Sequence, residues 1–178
     1  ERIDDVRKAC MEVRNILINM NSEKRREELN ILHDRMSIPI QESDMNRTMN
    51  QWEIQQLAKF NNISIGAHTK SHTKLSQLSV DSQKEEINES KEILEKISGK
   101  KIDIFSYPFG EDEDYTEHTV EILKTCGIKK AAVVKQGLYS KEYGEYRIPR
   151  NTVNGGTTVR QLKKIIDKSW FEYGEKTI

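Results

Sequence analysis

The apolar residues Ile3, Val6, Cys10, Val13, Leu17 and Met20 fall three and four apart, the spacing that lines up one stripe of an amphipathic helix. Ser22 is placed to cap a second helix through Leu29 and Leu32, which must end before Pro39, where Ile38 is restricted as well. Residues 41–47 are polar and read as a loop. Asn50, with Glu53 three residues on, has the form of a capping box opening a helix through Trp52, Leu57 and Phe60.

After Asn61-Asn62 the period changes. Ile63-Ser64-Ile65-Gly66-Ala67-His68 alternates and predicts a strand, with Ser64, Gly66 and His68 on one face. A loop runs to Leu78, and Ser79 opens a helix carrying Ile87, Leu94 and Ile97 that Gly99 stops. Residues 101–107 predict a second strand, closed by Pro108 and Gly110. Asp114 or Thr116 then opens a helix with Val120 and Leu123, stopped at Gly127. Residues 128–134 predict a third strand and 146–150 a short fourth, and Thr157 or Thr158 caps a last helix with Val159, Leu162, Ile165 and Ile166. Strand–helix alternation from residue 63 onward predicts an α/β fold, with mainly parallel strands and helices packed outside. Residues 1–48 look like a helical insertion or appendage to a body formed by 49–178.

Composition narrows the class. The chain has 178 residues, the size of one domain, with 35% hydrophobic and 33% charged residues. The apolar residues come in periodic segments, which argues against wholesale disorder. Formal charge is +0, so bulk charge offers no route to nucleic acid. No apolar run is long enough to span a bilayer, and no secretory signal is present. The chain begins at Glu1 without an initiator Met and is expected to be a fragment. Cys10 and Cys126 do not make a disulfide framework, and the compartment stays open between cytoplasm and cell envelope.

The densest chemistry is in Gly66-Ala67-His68-Thr69-Lys70-Ser71-His72. Two imidazoles four residues apart can converge on one cation, and neutral imidazole suits zinc. A bare H-x-x-x-H is more often two surface histidines. Its place at the C-terminal end of a strand, where α/β sites gather, favours a site. A second such strand end carries Phe105-Ser106-Tyr107-Pro108-Phe109-Gly110, a tight turn able to aim backbone N–H groups at an oxyanion.

Together these segments resemble the polysaccharide deacetylases with a NodB-homology domain, also called carbohydrate esterase family 4. That family's second motif, H-[ST]-x-x-H, is matched by His68-Thr69-Lys70-Ser71-His72, and its third, R-x-P-[YF]-G, by Pro108-Phe109-Gly110. The resemblance runs over residues 49–150 and includes Leu75, Leu78 and the helix with Trp52. It implies a deformed (β/α) barrel holding a divalent metal, usually zinc, with His68 and His72 as ligands and the Phe109 backbone N–H as oxyanion donor. The implied reaction removes N-acetyl, or less often O-acetyl, groups from a bacterial polysaccharide or oligosaccharide.

Three departures qualify the match. The family's first motif, T-F-D-D-G, supplies a ligand Asp and a base Asp from an early strand and has no counterpart; Asp4-Asp5 lies in a helical pattern. Ser106 stands where the third motif has Arg. Some branches carry an R-x-P-R-like stretch later, which Arg147-Ile148-Pro149-Arg150 resembles, so Arg150 is expected to orient the absent carboxylate. The late L-x-H motif, source of a general-acid His, is missing, and neither His33 nor His118 receives a role. Helices like 1–48 occur in some relatives between the first and second motifs. The expectation is therefore a barrel incomplete on its N-terminal side and inactive alone, with its Asp pair upstream of Glu1. Its bare edge along 63–68 should recruit a second copy or be covered by the helices of 1–48. The alternative is a non-catalytic carbohydrate-binding or assembly protein on the same fold, favoured by the missing Asp pair and opposed by the intact histidine motif.

Four further features carry less. Asn154-Gly155-Gly156 lacks the strand–turn–helix setting of a phosphate loop. Glu111, Asp112, Glu113 and Asp114 read as a solvated helix start, Cys126 as an inert thiol, and Trp170, Phe171 and Tyr173 as helix packing or a sugar-stacking surface.

Overall fold

The structure, a computed structural model, describes residues 2–36 and 47–165. Pro39, the greater part of the loop at 41–47, Ile166, Trp170, Phe171 and Tyr173 lie outside the described residues.

Helices α1 (Arg2–Ile18) and α2 (Ser22–Met36) form a hairpin with no buried residue in either helix. The stripe expected on α1 is present, but Ile3 and Val6 remain 69% and 58% exposed. Ser22 is not the cap: the Asn21 side chain accepts from Lys24 N at 2.9 Å, and the Asn21 carbonyl accepts from Arg25 N. An asparagine one residue earlier does the same work, because its Oδ1 reaches the third helical amide. Helix α3 (Gln51–Ala58) opens with the expected box, in which Asn50 accepts from Glu53 N while Glu53 accepts from Asn50 N.

The body is built from parallel segments. Strands β1 (Ile104–Ser106) and β2 (Lys130–Ala132) pair in register Ile104–Lys130, Phe105–Ala131, Ser106–Ala132. Single parallel bridges extend this ladder on each side, Ala67 to Phe105 and Ala132 to Ile148. The strands expected over 63–68 and 146–150 thus reduce to one bridged residue each. A ladder needs a partner along its length, and Ser64 and Gly66 are exposed instead.

Helix α4 (Val80–Ser98) carries the chain from the 63–68 segment to β1, and α5 (Glu117–Thr125) carries it from β1 to β2. Ser79 caps α4, and Gly99 at φ +67° ends it. Thr116, not Asp114, caps α5 through a box with Thr119. Gln83, Ile87 and Ser90 are the buried face of α4, spaced four and three apart. Leu75, Ile87, Ile102, Phe105, Leu123, Ile128 and Ala131 close the core between the helices and the sheet. Burying each large apolar side chain is worth about 1.5–3 kcal/mol. Gln83 joins the two helices inside this core, accepting from Thr119 Oγ1 at 2.6 Å. A residue 159–165 helix is capped by Thr158, whose hydroxyl accepts from Gln161 N.

Phe105 points into this core, so its neighbours Ile104 and Ser106 face the other side of the sheet. There an open groove of about 370 Å³ is lined by Gly66, His68, Ile104, Ser106, Ala132 and Ile148. Among the described residues, the side-chain hydrogen bonds of the α1–α2 hairpin to the body go to Ser71 and Gln77, while Ser64 and Gly66 on the edge segment are exposed.

Candidate active site

His68 is placed by its neighbour. Ala67 donates to Ile104 O and accepts from Ser106 N, both at 3.0 Å, which pins the end of the 63–68 segment to β1. The next side chain then falls on the groove side. His68 Nδ1 lies 2.6 Å from Ser106 O and 2.9 Å from Ser106 Oγ. A carbonyl oxygen only accepts, so Nδ1 carries the hydrogen and Nε2 keeps its lone pair. Burial pushes the His68 pKa below its ordinary value; the Ser106 bond opposes this, while charge at His72 and Arg150 adds to it. The ring is therefore held neutral at neutral pH, the form that ligates metal or accepts a proton.

The rings of the two histidines lie against each other. Their ring centroids are 4.8 Å apart, edge to face. His72 in turn meets the Phe109 ring at 4.9 Å, again edge to face. The two loops at the strand ends therefore face each other. They also hold all three non-glycine residues with positive φ among the described residues: Thr69 (62°), His72 (55°) and Phe109 (62°). Left-handed backbone of this kind costs roughly 1–3 kcal/mol per residue and gathers where function requires it.

Each loop is held by its own device. Thr69 Oγ1 accepts from His72 N at 3.0 Å, closing the histidine loop. In the second loop Gly110 adopts φ +81°, and a Cβ there would lie 3.0 Å from Val134 N, so only glycine fits. Gly110 also donates to Pro108 O and accepts from Val134 N, fixing the turn to the end of β2. Among the described residues no acceptor takes the Phe109 N–H.

An ion pair joins the loops. Lys74 Nζ sits 2.8 Å from Asp114 Oδ1, an ionic contact without the direction of a hydrogen bond, and 5.4 Å from the Phe109 ring centroid. The Asp114 side chain is 2% exposed, so the expectation of a solvated acidic start fails at this residue. Its other oxygen accepts from Glu111 N, which turns it inward.

The two arginines of the late stretch separate. Arg150 donates through Nε to Val133 O at 3.0 Å, near enough to His68 to influence its charge. Arg147 instead pairs with Glu117 and lies over the Tyr115 ring at 5.9 Å. His118 is exposed on α5, and His33 is exposed on α2 beside Asp34. Sequence reasoning missed Ser106 as the partner of His68. Only its position in the third motif marked it, and there it reads as a departure.

Comparison with known proteins bears on this geometry. The sequence profile described as polysaccharide deacetylase matches residues 40–131. YxkH of Bacillus subtilis, named for the polysaccharide deacetylases, is 30% identical over 94 residues, 53% of this chain and 33% of its own length. A Streptococcus pyogenes deacetylase, PplD, solved in complex with acetate, has a TM-score of 0.62 at 21% identity, covering 68% of this chain and 52% of its own. A polysaccharide deacetylase from Bacillus cereus gives 0.60 at 27% identity, covering 69% of this chain and 38% of its own. The chain thus spans about a third of the curated relative and about half or less of these structures. What it shares with them is part of the (β/α) deacetylase fold. The matched stretch holds the histidine loop and the Phe109 turn in one profile over more than half the sequence, and the chain belongs to the polysaccharide deacetylase family.

Proposed function

We propose that this chain carries the histidine half of a metal-dependent site that hydrolyses N-acetyl groups on a bacterial polysaccharide. The observation that supports this most is the convergence of His68 and His72 at 4.8 Å, with His68 held neutral and its Nε2 left open by the Ser106 carbonyl.

The donor set fits zinc in part. Neutral imidazoles suit it, but a catalytic zinc takes three protein ligands and keeps one open position. Among the described residues no group of three or more His, Cys, Asp and Glu side chains is placed to hold an ion. The third ligand is therefore assigned to the carboxylate of the family's first motif, which this sequence lacks. Bound there, the metal supplies Lewis acidity toward the acyl oxygen and lowers the pKa of water toward neutrality. The chain's own residues do the rest. His68 and His72 would hold the ion. The Phe109 N–H donates to the oxygen that gains charge as the acyl carbon becomes tetrahedral. The Arg150 guanidinium, close to His68, orients the carboxylate. The intact histidine pair speaks against a purely non-catalytic carbohydrate-binding role.

Acetate release from N-acetylated chito-oligosaccharides tests this, measured with zinc on the protein in its full natural length. Release should fall at least about 100-fold in His68→Ala and His72→Ala, as loss of a ligand to a catalytic metal implies. Undiminished release in both variants would overturn the assignment.

A further inference from the structure

The loop between the two histidines is gripped by residues that belong to neither motif. Glu86, on the second turn of α4, accepts Lys70 N at 2.9 Å and Ser71 N at 2.8 Å through Oε2, and Ser71 Oγ at 2.6 Å through Oε1. Ser71 Oγ also lies 2.8 Å from Thr73 Oγ1, which is buried beyond it. From the other side Arg25, on α2, donates Nη2 to Ser71 O at 2.7 Å. Every polar atom of Ser71 is thus engaged, its amide and hydroxyl by Glu86 and its carbonyl by Arg25.

This matters because the gripped peptide lies between two left-handed residues, Thr69 and His72. A β-branched residue and a histidine leave that conformation unless the surroundings over-determine it. Thr69 Oγ1 supplies one restraint, on His72 N. Glu86 and Arg25 supply the others, and they bind the residue immediately before His72. The direction of the His72 ring follows from the backbone they fix.

We propose that Glu86 and Arg25 are positioning residues that hold the 69–72 loop in its ligating form, so that the α1–α2 hairpin reaches the site through Arg25. This rests on the reading of His68 and His72 as metal ligands. It also gives the otherwise unburied hairpin a point of contact with the chemistry.

Charge separates positioning from plain electrostatics. Removing the Arg25 cation near a cation site should strengthen binding by Coulomb's law. Removing the Glu86 anion should weaken it, and so should removing Glu89, three residues along the same helix, which pairs with the Lys70 ammonium and has no hydrogen bond of its own to the 69–72 backbone.

The test is calorimetric zinc titration of the full 178-residue chain, wild type and variants, with thermal melts alongside. Glu86→Gln should weaken zinc binding by about ten-fold, the lower end of what loss of an outer-shell partner costs. Arg25→Ala should also weaken it, against the Coulomb expectation, and Arg25→Lys should restore most of the affinity. Glu89→Gln should stay near wild type. Should Glu86→Gln fail to fold, Arg25→Ala on the exposed hairpin carries the test alone. Wild-type affinity in both Glu86→Gln and Arg25→Ala overturns the positioning and leaves the metal reading standing. Wild-type affinity in Arg25→Ala alone overturns the hairpin's part. Absence of zinc binding by the wild-type chain overturns the metal reading itself, and the positioning with it.

Discussion

Ser106 shows how much a single residue can do at a motif position where the family pattern has another. Its carbonyl sets the His68 tautomer and its hydroxyl adds a second contact, both from the end of β1. The pattern of the sequence marks this position as a loss, because a motif records residue type and not what the backbone beside it offers. Asp114 departs from the expected solvated position for a related reason. Four acidic residues in a row look solvated, and only the fold brings Lys74, forty positions earlier, against the last of them. Gly66 is the reverse case, legible once the strand is placed. A Cβ there would meet Ile104 Cγ1 at 3.0 Å and Ile104 O at 3.2 Å, so Gly66→Ala requires Ile104 or the 63–68 segment to give way slightly. It should destabilise the chain by about 1–3 kcal/mol in urea unfolding. Gly155→Ala, with nothing within 4 Å, should stay within about 0.5 kcal/mol of wild type.

At the scale of elements, what was legible is what is local. The box at Asn50, the cap at Ser79 and the stop at Gly99 each depend on residues within one turn, and each is found. The 63–68 strand depends on partners elsewhere, and its alternation alone could not say that Ala67 would be its one bridged residue. The start of α3 gives a titratable check on the local device. Glu53 is held by Arg47 and then by the Asn50 amide, and its pKa is lowered from 4.5 to about 2. A carboxylate whose folded pKa is depressed stabilises fully above its unfolded value and loses that contribution as pH falls through the folded one. The stability gap between wild type and Glu53→Gln should therefore be widest above pH 4.5 and close as pH falls toward 2. Urea midpoints across that range measure it, and a gap independent of pH would count against the capping role.

Across the whole molecule, the buried apolar cluster is built from residues 67–133, whereas the hairpin buries none of its residues. Deleting residues 1–46 should therefore leave one cooperative melt by circular dichroism, while zinc affinity falls through the loss of Arg25. Loss of the cooperative melt would show that the hairpin supports the core. The α/β order was readable from alternating periods, and the candidate site from two strand ends. The grip of Glu86 and Arg25 on Ser71 was not, since these residues stand 15 and 46 positions from it. We propose that His68 and His72 form one metal site. Long-range proton–nitrogen NMR of the four histidine rings during zinc titration tests it most directly. The His68 and His72 ring nitrogens should shift together and saturate at one zinc per chain, while His33 and His118 stay still. Shifts confined to His33 or His118, or separate saturation of His68 and His72, would contradict it.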